Sequence, residues 1–479
     1  MSEVRKTTQG SGVVAKAGIW YTVCNFLFRG MAFITTPIFA RLMSKAELGS
    51  FSNFSSWAVI LSVLTSFDLA QSIIRSKLEH EDDMDSYVWS ILSFSTIWTL
   101  LIYGIALLSP SFFSDLLRID VRYIHIMFLY LLSAPAYQML ITKHRAFYKY
   151  KMFVLLTGIM AVSGTLLSLA MVILMQNKLD GRIFGFYTPH IIIGFAIFAI
   201  IAFRGKRIKT EYWKYACLIC FPLVPHVLSL NLLSTSDTLI ITRLCGAEYT
   251  AIYSIAYSAY HIVTILFDSM NKAWAPWLLE SLHHEKYIEI KKISKIYISV
   301  FEVLIIGVLM LIPEIILILG GRQYMGAIYC LPPLVTSCVF QFIYTMYVNI
   351  EFYEKKTIGV SVATLIATAA NIILNLIFIP MNTEYSYIIA AYTTLAGYVI
   401  LFILHYLIVK KMKMDHVYDI ILILKMLVLT LDVSGVMNIL YRTTAIRYGI
   451  VLVYGIAVLI VGYKNKDRIV GIFRKKKAA

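Results

Sequence analysis

In a chain this apolar, the residues able to do chemistry are ionisable and amide side chains set inside long hydrophobic runs. Gly18, Thr22, Asn25 and Arg29 fall at 4-3-4 spacing within the first run, which puts all four on one helix face. That face is expected to line water or ligand, and the Arg29 guanidinium suits an anionic group such as a phosphate. A second stripe, His261, Thr264, Asp268 and Lys272, runs at 3-4-4 spacing. Asn231, Ser234 and Asp237 share another run, Asp68 and Glu302 each stand in one of their own, and Lys425 and Asp432 lie two turns apart on one face. Charges inside membrane spans are costly, so each is a functional candidate. Together they suggest a polar cavity, with Arg29, Asn25, Thr22, Lys272 and Lys425 toward a substrate. Asp68, Asp237, Asp268 and Glu302 would then tune it or couple it to an ion. The plainer reading is pairing: Arg29 with Asp68 or Asp237, Asp268 with Lys272, and Lys425 snorkelling to the membrane edge. The tyrosines at 249, 253, 257 and 260 could stack on sugar rings, but packing and interface anchoring are their commoner uses.

The elements that must position these groups are membrane helices. Of 479 residues 59% are hydrophobic and only 15% charged, with mean hydropathy +0.76, and a bilayer-spanning helix needs about 20 mostly apolar residues. About fourteen such runs can be read, at 13–37, 49–73, 87–109, 123–142, 152–175, 183–203, 215–242, 249–271, 296–319, 327–350, 357–379, 385–409, 417–441 and 446–463. This is an all-α integral membrane fold with no soluble catalytic domain. The charged stretch 272–295 is expected to lie at the surface as a helix. Its adjacent His283 and His284 do not face one another, so no metal site is expected there. The first run is too long for a cleavable signal and should remain as a span. The six cysteines sit in or beside apolar runs, and Cys217-x-x-Cys220 is better read as helix packing than as a redox motif.

A net charge of +16 raises the question of nucleic acid. With a cytoplasmic amino terminus, however, and with Lys16 and Arg447 at the span edges counted with the adjoining inside segment and outside loop, inside segments carry 31 of the 43 Lys and Arg residues, outside loops carry ten, and Arg29 and Lys425 lie within spans. That asymmetry is the positive-inside rule, and it implies an even number of spans with both termini cytoplasmic. The tail Arg474-Lys475-Lys476-Lys477 then serves as an anchor on anionic lipid, and no nucleic-acid partner is needed.

Weak self-similarity divides the chain. Arg41-Leu42 with Phe51-Ser52 recurs 202 positions later as Arg243-Leu244 with Tyr253-Ser254. This offset relates span 1 to span 7 and implies two parallel six-helix bundles, 1–210 and 211–413, followed by 414–479 with two peripheral helices and a basic cytoplasmic tail. Such repeats are a transporter architecture with the substrate between the halves. Neither G-x-x-x-x-G-K-[ST], H-E-x-x-H nor G-x-S-x-G occurs, so ATP-driven and common hydrolytic chemistries lack their motifs, and no enzyme is expected.

Several ordered segments resemble one known family. Lys16-Ala17-Gly18-Ile19-Trp20, Pro37 to Leu42 and Glu47-Leu48-Gly49-Ser50-Phe51-Ser52 resemble the opening of the Wzx-type polysaccharide flippases. That family belongs to the MOP (multidrug/oligosaccharidyl-lipid/polysaccharide) exporter superfamily, with lipid II flippases and multidrug extruders. Ser236-Asp237, Gly246-Ala247-Glu248, Ile252-Tyr253-Ser254, Ala273-Trp274-Ala275-Pro276, Pro313 to Tyr324 and Asn371 to Asn375 with Pro380 are similar to its second half. Ala251 and Met381 to Glu384 depart from the family's glycine-containing pattern. The resemblance implies a multi-pass protein of the cell membrane. It would flip undecaprenyl-diphosphate-linked oligosaccharide from the cytoplasmic to the outer leaflet by alternating access, for a surface polysaccharide such as an exopolysaccharide. Arg29 matches the family's cationic cavity. The implied partners are that glycan lipid, membrane lipids, and the polymerase and chain-length machinery. No cofactor is implied, and coupling to protons or sodium stays open. Two rivals remain: a cation-coupled multidrug antiporter of the same superfamily, favoured by the buried acids, and a polysaccharide polymerase or glycosyltransferase, disfavoured by the short loops.

Overall fold

The computed structural model describes residues 33–379 and 385–464, together with positions 20, 30 and 31. Among them every regular element is helical, and thirteen helices are long and apolar enough to cross a membrane. They are α1 (Lys45–Ser66), α2 (Met84–Leu108), α3 (Val121–Ala146), α4 (Tyr150–Leu174), α5 (Lys178–Gly205), α6 (Val224–Leu244), α7 (Ala247–His283), α8 (Tyr287–Met310), α9 (Leu331–Tyr353), α10 (Thr357–Phe378), α11 (Ser386–Lys411), α12 (Ile420–Leu440) and α13 (Thr444–Lys464). A shorter apolar helix, Phe33–Leu42, precedes them. The protein is therefore a multi-pass membrane protein, as its apolar runs predict. Most of the predicted span 13–37 lies outside the described residues.

Two element boundaries differ from the sequence reading. The predicted span 49–73 stops at Ser66, because Phe67 and Asp68 both take left-handed backbone conformations, with φ of 48° and 50°. Non-glycine residues adopt this region rarely, and Asp68 therefore sits in a turn instead of on a span. The charged stretch expected as a separate surface helix instead begins as a continuation of α7. This helix runs 37 residues to His283, roughly 55 Å at 1.5 Å per residue, well beyond a bilayer core of about 30 Å.

The chain forms two compact units. The first comprises 1–258, 319–321 and 361–390. Helix α1 begins with a reciprocal cap, in which Ser44 Oγ accepts from the Glu47 N–H and the Glu47 carboxylate accepts from the Ser44 N–H at 2.8 Å. Small residues let α5 approach its neighbours closely: a Cβ built on Gly185 would lie 2.4 Å from Ser168 Cα in α4. A core of Phe54, Tyr123, Tyr187, Met127 and Leu131 fills the space among α1, α3 and α5.

The resemblance segment around Gly49 has a physical reason. A Cβ there would sit 1.7 Å from the Ala247 carbonyl oxygen, so α1 and the start of α7 touch backbone to backbone. Gly49→Ala is expected to lower the melting temperature of the detergent-solubilised protein, at a cost of roughly 1–3 kcal/mol for overpacking. Gly435→Ala, where the added methyl meets open space, is the control and should leave it unchanged or slightly raised.

The second unit comprises 259–318, 322–360 and 391–479. Its centre is α9, 83% buried over its most apolar stretch, with Phe342 stacked on Phe301 of α8 at 4.1 Å. Helix α13 is nearly all outward-facing, at 6% buried, and is anchored by polar contacts. Arg447 grips Glu314 in the short helix Ile312–Leu319 through two hydrogen bonds of 2.6 and 2.5 Å, and Tyr448 adds a third. Burial pushes the Glu314 carboxyl up, but the Arg447 guanidinium and Tyr448 hydroxyl more than offset this and hold it below its ordinary value. A carboxyl lowered by folding contributes stability above the unfolded-state value, about 4.3, and loses it as pH falls through the folded one. The melting temperature of Glu314→Gln should therefore lie below wild type at neutral pH and converge with it in acid.

Candidate functional site

Among the described residues of the first unit the most enclosed carboxylate is Asp237, on α6, 1% exposed. Isolating a carboxylate from water is costly unless its lone pairs are hydrogen-bonded, and two neighbouring helices supply donors. From α7, Tyr253 donates its hydroxyl to Oδ2 at 2.5 Å, and from α10, Asn375 donates its amide to Oδ1 at 2.6 Å. Asn371, one turn before Asn375, accepts from Ser236 Oγ at 3.3 Å and from Asn375 at 3.4 Å. Thr368 donates to the Ser229 carbonyl, so positions 368, 371 and 375 present one polar face of α10 to α6. The result is a buried set of carboxylate, amide and hydroxyl oxygens, hard ligands suited to a proton or an alkali cation. Among the described residues there is no His, Cys, Asp and Glu cluster able to chelate a metal.

The same unit holds a cation that the sequence reading had placed in an outside loop. Arg182 lies within α5, whose first turn is capped by the Asn177 side chain. Its guanidinium carbon is 3.6 Å from the ring centre of Phe39, 4.3 Å from that of Phe51 and 5.5 Å from that of Phe186. Nη1 donates to Ser168 Oγ at 2.8 Å, while Nε is buried without a partner. Among the described residues no carboxylate pairs with it. Asp180, two residues away, is engaged by Arg122 at 3.1 Å and by the Tyr123 hydroxyl. A guanidinium stacked on aromatic faces with donors to spare is chemically an anion receptor.

The other predicted residues are dispersed. Arg29, Asn25 and Thr22 lie outside the described residues. Asp68, in its turn, has its carboxyl pushed up by burial, partly offset by Gln71 and Arg145. In the second unit Asp268 is half-buried on α7, Lys272 is exposed, and Glu302 is 4% exposed and accepts from Thr430 at 3.3 Å. Lys425 and Asp432 are exposed on α12. Asn231 and Ser234 bond backbone carbonyls of their own helix. The tyrosine stripe mainly packs, Tyr249 on Tyr387 and Tyr253 on Tyr257, while Tyr260 donates to Gln341. A surface depression of about 480 Å³ is lined by Ser111, Ser114, Asp115, Arg118 and neighbours, and includes none of the predicted residues.

Against known proteins, the family model described as "Polysaccharide biosynthesis protein" matches residues 14–282. The curated "Lsg locus putative protein 1" of Haemophilus influenzae is 23% identical over 221 residues, 44% of this chain and 54% of that protein. The match thus spans about half the length of the relative. Two solved structures share the fold over most of both chains. One is "Lipid II flippase MurJ, inward closed conformation", with TM-score 0.67 and 15% identity over 94% of this chain and 100% of that one. The other is an inward-facing multidrug resistance MATE family transporter of the MOP superfamily, with TM-score 0.56 and 13% identity over 84% and 98%.

Proposed function

We propose, because this chain belongs to the polysaccharide biosynthesis protein family, that it is a membrane transporter moving polyprenyl-diphosphate-linked oligosaccharide units. The direction is from the cytoplasmic to the outer leaflet, for cell-surface polysaccharide. The observation that carries this reading is the pairing of that family membership with a transporter-type helical fold along 94% of the chain. The first unit also holds, in Arg182, an anion receptor of the kind a diphosphate needs.

In this reading both termini are cytoplasmic, and two parallel six-helix halves, 1–210 and 211–413, alternate access, with 414–479 peripheral. Arg29, Asn25 and Thr22 bind the head group together with Arg182. Lys272 and Lys425 are weaker candidates, because each is exposed on its helix, and Lys425 is well placed to snorkel. Asp237 is the coupling carboxylate, cycling a proton or a sodium ion, while Asp68, Asp268 and Glu302 tune the polar groups around them. The second reading, a cation-coupled drug antiporter, draws on the same buried Asp237. A polymerase is disfavoured by the short loops between the described helices.

Deleting the gene and extracting lipid-linked sugars, with a probe of the leaflet that holds them, tests the proposal. Complete units accumulating on the cytoplasmic side are expected. Single units stranded outside would indicate a polymerase, and unchanged glycan lipids a drug exporter.

A further inference from the structure

Helix α9 and the part of α11 after Ala390, both in the second unit, hold a titratable pair that none of the roles above uses. Glu351 and His405 are each 0% exposed, and His405 Nδ1 lies 2.6 Å from Glu351 Oε1. Tyr344 lies nearly flat on the imidazole, with centroids 5.3 Å apart and 15° between planes, and Tyr398 stacks on Tyr344 in turn. Glu351 Oε2 and His405 Nε2 have no hydrogen-bond partner among the described residues. A Cβ built on Gly359 would lie 3.4 Å from Oε2 and 3.3 Å from the Ile408 side chain. Backbone and aliphatic carbon therefore close this edge of the site.

Charge counting decides what such a pair can do. With one proton between them the two groups are net neutral, whether written as imidazolium and carboxylate or as imidazole and carboxylic acid. A second proton leaves +1 and no proton leaves −1, and an uncompensated charge is heavily penalised in this dry setting. While enclosed, the pair holds one proton, and exchange requires exposure to water. The surrounding titratable groups are few. The phenols of Tyr344 and Tyr398 cover one side, and Asp268 of α7 lies within electrostatic reach of Tyr344. Lys356 donates its backbone N–H to the Glu351 carbonyl at 2.9 Å. Glu351 is two residues from the end of α9, before Glu354-Lys355-Lys356, and His405 is six residues from the Lys410-Lys411 end of α11. The positive-inside rule puts these lysine-bearing ends on the cytoplasmic side.

We propose that His405 and Glu351 form a proton-binding site, loaded and emptied at the cytoplasmic face, that links proton movement to the transporter's conformational cycle. The link to transport rests on the transporter reading above; the proton site itself does not. A pair that merely clamps α9 to α11 would leave the response of transport to a pH gradient unchanged when either member is replaced.

Hydrogen–deuterium exchange on the purified full chain, corrected for intrinsic rates between about pH 5.5 and 8, reads the site without substrate. Peptides covering 345–353 and 400–409 are expected to change protection with pH in wild type and to lose that change in Glu351→Gln. His405→Gln, which keeps a hydrogen-bonding amide, serves as the second variant should the first fail to fold. No pH-dependent change in wild type, or the same change in both variants, overturns the site. In proteoliposomes, flipping of a fluorescent diphosphate-linked oligosaccharide lipid should accelerate under an imposed pH gradient, and the variants should lose that acceleration. An equal gradient response in variants and wild type overturns the coupling. Wild-type protein that flips nothing under any gradient overturns the transporter reading instead, and the exchange measurement still decides the pair.

Discussion

Asp237→Asn is expected to leave the protein folded in the membrane and to cut transport by roughly tenfold or more, an effect worth at least about 1.4 kcal/mol in the cycle. The carboxylate accepts from two buried donors, Tyr253 at 2.5 Å and Asn375 at 2.6 Å. An Asn side chain keeps the shape but can offer its single oxygen to only one of them. Its NH2 must then face the other donor, and the negative charge that would hold a proton or alkali cation is gone. Asp237→Ala goes further and removes the acceptor of both hydrogen bonds, each worth roughly 0.5–1.5 kcal/mol, so it should also lower the melting temperature. The Asn variant separates the roles. Full transport with a lowered melting temperature would make Asp237 a helix-pairing residue, whereas near-wild-type stability with lost transport fits the coupling role. Both quantities must be read on the same preparation.

How far this site was legible in the sequence depends on the residue. Apolar run length was enough for the helices, since lipid leaves a chain few other ways to satisfy its backbone. Charge was a poorer guide to where helices end. Arg182 falls between the apolar runs 152–175 and 183–203, yet its aromatic cage comes from positions 39, 51 and 186, which no local pattern connects. For the same reason the predicted break after 271 was misplaced: Lys272 and His283 ride on a helix long enough to leave the membrane. The stop at Phe67 and Asp68 has neither Gly nor Pro to announce it. Asn371 and Asn375 could be seen as an amide pair one turn apart, but that they face Asp237 depends on how α10 packs against α6. The predicted span 327–350 stopped one residue short of Glu351, so its pairing with His405 was invisible.

Arg29→Ala is expected to abolish flipping while membrane insertion persists, and Arg182→Ala to impair it strongly, with Arg182→Lys a poor rescue. The reasoning for Arg182 is geometric. Its guanidinium carbon is 3.6 Å from the centre of Phe39 and 4.3 Å from that of Phe51, a slot a flat delocalised cation fills and a compact, strongly hydrated ammonium does not. Its hydrogen bond to buried Ser168 fixes one edge of the fork, leaving the other for an oxyanion, and bidentate binding of that kind is unavailable to lysine. If Arg29 and Arg182 hold one diphosphate, removing both should cost little more than removing Arg29 alone, because the second contact has no bound group left to act on. Accumulated lipid-linked units in each leaflet, set against the amount of protein in the membrane, give the comparison. Wild-type flipping by Arg182→Lys would reduce Arg182 to a packing cation, and full independence of the two losses would assign them to separate steps of the cycle.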